Sequence, residues 1–533
     1  MVTQTSTLTI RGWLRHAGVH DEPAVRMARI AGLIVGAFAL DWWVHHAGHL
    51  SEAAYAQPSV AAQLIVARPD APLVLVLGAA MALSRVGRRG WAAFEQHRRT
   101  RAFAGILAAL VAWTCALYDI NAYAGQAHLV DRGLVIALAL AVWAHPAFLL
   151  PLLALAHGML WQFDYPLTWQ FNWEEINMPL RVLAVLCVAA FVPRGAGLRT
   201  RHILGAILCV VAASYLCSAI GKLQIDWLSM PTLQYLPLGG FTHGWLSQVG
   251  TGALQHVIAA LAVAAVPLMA ATVLLELGSA FVLCCRRGAL MFLAAVSAFH
   301  GVVLLLTGIA FWHWMIVYGL LIAFLLTPAP VRAIALFPQR AAPLYSVLVF
   351  GAVLLFRPAP LAWHDTRVVY VYEVEGVDRA GARTTLPPDS FTPFEDIFTF
   401  GNFGYLNAAS RLTGQVMGAV EDSAQARAVN SARTPDAVFA VERQFGHAHF
   451  DAGLSAAYDS LVQHIVMRLN ASGGESAPWA VAHAPRHLWN TLGRPALHAP
   501  IVRVRVHMLT WLYDDEQLRM IRDEVVREVA IPQ

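Results

Sequence analysis

The sequence predicts a polytopic α-helical membrane protein of about nine or ten membrane helices, followed by a C-terminal α+β domain outside the bilayer. Three observations carry this. Hydrophobic residues make up 58% of the 533 positions, charged residues only 13%, and the mean hydropathy is +0.55; an ordinary soluble chain has about 25% charged residues. The apolar residues fall in runs long enough to cross about 30 Å of hydrocarbon. After residue 356 the balance changes, from 21 basic and 13 acidic side chains before it to 16 and 20 beyond it.

In chain order, candidate helices run near 29–46, 71–84, 103–123, 132–157, 180–193, 202–221, 256–283, 289–308, 310–328 and 342–356. The first apolar run lacks a small-residue cleavage site and is expected to stay as a helix. Arginine clusters at 84–101, at 194–199, in "CCRR" (284–287) and around Arg332 and Arg340 are expected on the cytoplasmic side. A single crossing at 132–157 would put Arg194 and Arg199 outside. The interruption "WAHP" (143–146) resolves the conflict, because proline disfavours a continuing helix and the run then reads as a bent pair or re-entrant hairpin. Lys222, the aromatic segment "WQFDYPLTWQFNWEE" (161–175) and everything after 356 then face the extracytoplasmic side. The abundance of alanine and arginine with almost no lysine points to a GC-rich, most simply bacterial, genome, so the expected location is the bacterial cytoplasmic membrane.

Residues 357–533 read as the soluble domain. "RVVYVYEVEGVDRAGARTTL" alternates around a Gly-Val-Asp-Arg-Ala-Gly turn and predicts a β-hairpin. "DAGLSAAYDSLVQHIVMRLNAS" has helical spacing, and "IVRVRVHMLTWLY" alternates again. "DDEQLRMIRDEVVREV" opens with acids suited to a helix N-terminus and predicts a final helix.

Lys222, in "SAIGKLQIDWLSM", is the only lysine in the chain. A desolvated ammonium can lose its proton and serve as a general base, whereas a guanidinium stays charged. The bland alternative is a lysine snorkelling from a helix end to the interface. The string Tyr215, Gly221-Lys222-Leu223, Asp226-Trp227-Leu228 resembles the signature shared by vitamin K-dependent gamma-glutamyl carboxylases and the wider bacterial HTTM (horizontally transferred transmembrane) proteins. Residues 23–43, Glu276 in "LLELG", and the Phe-His helix at 299–321 are similar to other parts of that family, so that the resemblance covers roughly residues 20–330.

The resemblance implies a catalytic base at Lys222, which would deprotonate a reduced quinone of vitamin K type to drive carboxylation of peptide glutamate. It also implies roles for His300 and for His128 in catalysis. Tyr215, Asp226, Trp227, Glu276 and His313 are the residues expected around the cofactor. The family's propeptide-binding C-terminal region has no recognisable match after residue 360, which leaves open a quinol-like or lipid-like reductant with a different acceptor. The expected partners are the lipid bilayer and a hydrophobic small molecule or peptide substrate.

Other positions carry weaker signals. His45, His46 and His49 could ligate a metal, or form an interfacial belt with their neighbouring tryptophans; no metal site is assigned. Asp41 and Glu276 lie inside predicted helices and need partners, for Glu276 an arginine or Lys222 itself. His313 reads as interfacial, "WQFDYPLTWQFNWEE" as a lid or an aromatic belt, and Asp514-Asp515 as a helix start. Two further function classes compete with the enzyme. One is a non-catalytic transport, assembly or immunity protein that binds a partner through its outer domain; the other is a relay through Glu276, Asp119 and the histidines. Walker A, Rossmann and zinc-protease signatures are missing, and the net acidic soluble half gives no nucleic-acid footprint.

Overall fold

A computed structural model describes residues 23–67, 75–76, 87–117, 126–165, 167, 173–192, 197–245, 250–326, 342–391, 394–401, 403–412, 418–473, 497 and 499–532. The protein is mostly helical with a small C-terminal antiparallel sheet. The expected helix at 71–84, the arginine loop after residue 328 and Asp119 lie outside the described residues.

The apolar runs fold into α1 (Pro23–Gly48), α2 (Val60–Ala67), α3 (His97–Leu117), α4 (Leu129–Ala144), α5 (Leu149–Trp161), α6 (Trp173–Phe191) and α7 (Thr200–Gln224). After α7 come the short α8 (Leu236–Thr242), then α9 (Gly250–Gly278), α10 (Arg286–Thr307), α11 (Trp312–Leu320) and α12 (Ala342–Phe356). Among the described residues four helical stretches are long and apolar enough to cross a membrane, fewer than the nine or ten expected: Pro23–Gly48, Thr200–Gln224, Gly250–Phe281 and Arg286–Thr307. The others are shorter or carry more charge.

The run 132–157 is two helices, α4 and α5, packed on each other. His145 is extended (φ −151°, ψ 134°), its Nδ1 accepts from Ala147 N at 3.1 Å, and Pro146 opens the next turn. Proline favours a helix's first turn and biases the residue before it toward an extended backbone, so the break falls where "WAHP" puts it.

Helix α7 is the axis of the bundle. Its apolar window is 89% buried, against 28% for each of the other three long stretches, and it packs on α1, α6, α9 and α12. A helix apolar all round belongs in an interior, whereas the other three leave apolar faces uncovered by protein. In α1, Asp41 finds two partners, Arg181 at 3.5 Å and His157 at 3.9 Å.

The C-terminal unit holds four strands in the order β2-β1-β3-β4, all antiparallel: β1 (Val368–Asp378), β2 (Arg383–Leu386), β3 (Ile501–Tyr513) and β4 (Leu518–Ala530). Between β2 and β3 lie α13 (Glu395–Phe400), α14 (Ser423–Ser431), α15 (Pro435–Phe445) and α16 (Ala452–Ala471). Asp422, Thr434 and Asp451 cap the last three through their side chains. The final helix expected from "DDEQLRMIRDEVVREV" is instead strand β4. Asp514 Oδ1 accepts from the amides of Glu516 and Gln517, and Asp515 adopts φ 83°. Aspartate favours tight turns for the same reason that it favours helix starts, namely hydrogen bonding to nearby amides, and here the turn closes a hairpin.

The two parts of the chain are joined by packing as well as by sequence. At 1.5 Å per residue α9 is about 43 Å long, well beyond the hydrocarbon thickness. Its first turns, at Leu254 and Ile258, cluster with Val369, Val371 and Leu509 of the sheet and with Leu238 of α8. Arg367, fully buried, donates to Tyr235 Oη at 2.6 Å and to the Tyr513 carbonyl at 3.2 Å, and pairs with Asp515 at 3.1 Å.

Candidate functional site

The single lysine sits where α7 ends. Gly221 and Lys222 occupy its last turn, and Asp226 takes a left-handed conformation (φ 57°, ψ 41°) that turns the chain into Trp227–Ser229. That reversal brings the Trp227 ring to 5.5 Å from Lys222 Nζ, within cation–π range. Lys222 is 8% exposed, so it does not snorkel into water.

The far part of α9 carries Glu276, 3% exposed, to the same place. Lys222 Nζ donates to Glu276 Oε1 at 2.7 Å and Oε2 at 2.9 Å, and to the Leu361 carbonyl at 2.9 Å. An ammonium has three protons, and all three are used.

Leu361 belongs to a strap, residues 357–366, that leaves α12 and crosses the end of α7. Cys217 Sγ donates to the Pro358 carbonyl at 3.1 Å, and Leu361 N to Ser218 Oγ at 3.4 Å. A Cβ on Gly221 would lie 2.9 Å from Pro360 Cβ and 3.1 Å from Ala362 Cβ, so glycine is what lets the strap close. Beyond it, His364 Nε2 and Ser423 Oγ both hydrogen-bond the Ile225 carbonyl, at 3.1 and 2.7 Å. Asp365, 5% exposed and within electrostatic range of Lys222, accepts from Trp363 Nε1 at 3.3 Å; burial pushes its carboxyl up to about 7.

Two turns earlier on α7, Tyr215 lies on nearly the same helix face as Lys222, about 10 Å down the axis. Its hydroxyl bridges His300 Nε2 at 2.7 Å and Tyr318 Oη at 2.6 Å. Phe292, Phe311 and Trp314 ring this cluster. His300 is 3% exposed and its Nδ1 has no hydrogen-bond partner among the described residues. Three other helical histidines, His157, His256 and His464, and His243 just past the end of α8, place Nδ1 on the carbonyl four residues back; His300 does not. The Glu276 carboxylate is within electrostatic range of the Tyr215 hydroxyl, which links the two clusters.

The structure thus brings together Lys222, Trp227 and Glu276, with Tyr215 and His300 beneath them. Asp226 is exposed, and none of its described bonds reaches Lys222; the carboxylate on the lysine is Glu276. His313 is buried rather than interfacial, with Nε2 3.1 Å from Thr114 Oγ1. His128 lies at the start of α4 in a left-handed conformation, with Nε2 3.1 Å from the Gln57 carbonyl. None of its described bonds involves Lys222, Glu276 or Tyr215. The neighbouring Asp131 instead caps α2, accepting from Ser59 Oγ and the amides of Val60 and Ala61. Sequence reasoning missed the Leu361 carbonyl, Asp365 and Tyr318. Only Gly221, a close-approach glycine beside the lysine, hinted at the strap.

His45 and His49 pack on Trp161, and His46 stacks on Trp42; no group of three metal-ligating side chains occurs among the described residues. Comparison with family models, curated proteins and solved structures returns no match.

Proposed function

We propose that this chain is an integral-membrane enzyme in which Lys222 acts as general base toward a hydrophobic ligand, chemistry of the kind its motif resembles in the vitamin K-dependent carboxylases and HTTM proteins. The observation that carries the proposal is the buried Lys222–Glu276 pair standing above the Tyr215–His300–Tyr318 cluster. Transfer of one proton from Nζ to Glu276 Oε1 across their 2.7 Å hydrogen bond leaves a neutral amine and a neutral acid. No net charge is created in a low-dielectric interior, which makes this the cheapest route to a basic lysine there. The amine lone pair then takes a ligand hydroxyl proton, and the regenerated ammonium pairs with the ligand anion.

His300 Nδ1, buried among aromatic rings and without a hydrogen-bond partner among the described residues, fits an aromatic ligand bearing an oxygen. His300 and Tyr215 would hold it. A reduced quinone of vitamin K type would supply the acidic hydroxyl and the reducing electrons. The arginine bias supports insertion in the bacterial cytoplasmic membrane with the C-terminal unit on the extracytoplasmic side.

The test is Lys222→Arg in detergent-solubilised protein, with a vitamin K-type quinol and oxygen, reading quinol consumption. Arginine keeps the charge and cannot give up its proton. A loss of about 100-fold or more, with the fold retained, is expected when a general base is removed. Unchanged turnover overturns the proposal. One observation favours a second reading, a non-catalytic transport, assembly or immunity protein: all three protons of the ammonium are already satisfied, as in a purely structural ion pair. That reading expects Lys222→Arg to be nearly silent.

A further inference from the structure

A cleft of about 240 Å³ lies between the sheet and the end of α8, away from Lys222. Strand β2 pairs with β1 only over Val374 to Val377. At Pro387 and Pro388 the chain ends that pairing, since proline offers no N–H to a ladder. On its other side β1 pairs with β3 along its whole length. Among the described residues, the stretch Val371–Glu373 therefore has no strand partner on the cleft side, and it forms one wall of the cleft. An unpaired edge is a template for another extended chain.

The remaining lining has a chemistry of its own. Thr242 and His243 come from the end of α8, Thr385 from β2, and Phe398 from α13. Glu373 is exposed and has no ion pair among the described residues, whereas Glu375, two positions on, lies 3.8 Å from both Arg383 and His507. The cleft thus offers backbone pairing, apolar side chains and one exposed acid that makes no ion pair among the described residues, with His507 as its cross-strand neighbour.

We propose that this cleft binds an extended peptide segment, which pairs with β1 at Val371–Glu373 in line with β2 and brings a basic side chain to Glu373. Backbone pairing gives such sites affinity, and pockets for alternate side chains give selectivity. The site is independent of the lysine chemistry.

The experiment is fluorescence polarisation on the full chain in detergent, with a fluorescein-labelled Thr-Val-Lys-Val-Thr peptide as probe. Saturable binding is expected. Replacing the peptide's lysine by glutamate, or N-methylating its two valines, should weaken it about tenfold or more, as should Glu373→Gln in the protein, each removing a charge-assisted or backbone hydrogen bond. Glu373 is exposed, so that variant folds, and the methylated peptide tests the same point on the unaltered protein. Equal binding of the methylated and parent peptides, or displacement by butylamine at the peptide's own concentration, overturns strand pairing in favour of a simple amine site. Unchanged affinity in Glu373→Gln overturns the charge assignment.

Discussion

Lys222 and Glu276 meet across 54 positions of sequence, with the lysine's Nζ 2.7 Å and 2.9 Å from the two carboxylate oxygens, in the interior of the helical bundle. Each is the other's reason for being charged there. Removing one partner from a buried pair strands a charge and costs about 3–5 kcal/mol, while replacing both by apolar groups is often close to neutral. Lys222→Met and Glu276→Leu should each lower stability by that amount, and the double variant should recover most of it. Thermal unfolding in detergent, read as a double-mutant cycle, checks this. Additive losses would show that the two side chains do not depend on each other.

The strap closes over this pair only because Gly221 has no side chain. A methyl placed 2.9 Å from Pro360 Cβ must push the strap outward. Gly221→Ala should cost about 1–3 kcal/mol, the usual penalty for overpacking, and should lengthen the Leu361–Lys222 contact. Hydrogen exchange at Leu361, whose amide donates to Ser218, should quicken in the variant. Unaltered exchange would mean that the strap tolerates the added methyl without moving.

Asp365 gives the fold a pH dependence of definite sign. Burial raises its carboxyl from 3.8 to about 7, so the folded state holds this proton more tightly than the unfolded chain does. The stability it contributes is fully present below about pH 4 and is lost as pH rises through 7. Melting temperature should therefore decline from this group between pH 4 and pH 8, and the decline should shrink in Asp365→Asn. A wild-type and variant pair with parallel pH profiles would contradict the assignment.

Much of this was legible in the sequence. "WAHP" located the break between α4 and α5, because proline's effect on a helix is local. Lys222 stood out by composition and Glu276 by lying in a membrane-type run where an ionisable group needs a partner, whereas Tyr215 and His300 were reached only through the resemblance of the lysine motif. The misreading of β4 has a physical cause too. Two register shifts, at Val506/His507 and Thr510/Trp511, interrupt its pairing with β3, so its apolar residues fall at 518, 520, 521, 525, 526 and 529 without the strict alternation of a flat strand. The Leu361 carbonyl left no trace at all. A backbone acceptor has no residue type, and this one reaches Lys222 across 139 positions.

The Tyr215 cluster makes an asymmetric prediction. Tyr215 is the bridge, hydrogen-bonded to both His300 and Tyr318, while the Tyr318 and His300 rings stack at 6.2 Å with no hydrogen bond between them. Tyr318→Phe leaves the Tyr215–His300 bond intact and should cost about 1 kcal/mol, the net worth of one hydrogen bond. Tyr215→Phe leaves two buried groups unpaired, each at about 1–3 kcal/mol, and in His300 it would strip the ring of its remaining partner. Unfolding midpoints should therefore rank wild type, then Tyr318→Phe, then Tyr215→Phe, with the last step the larger. If the ligand oxygen invoked for His300 Nδ1 is real, a quinol added to wild type should raise the midpoint by mass action, and should raise it less in Tyr215→Phe, whose imidazole is no longer held in place. Equal midpoints for the two tyrosine variants would show that the bridge does not hold the cluster together.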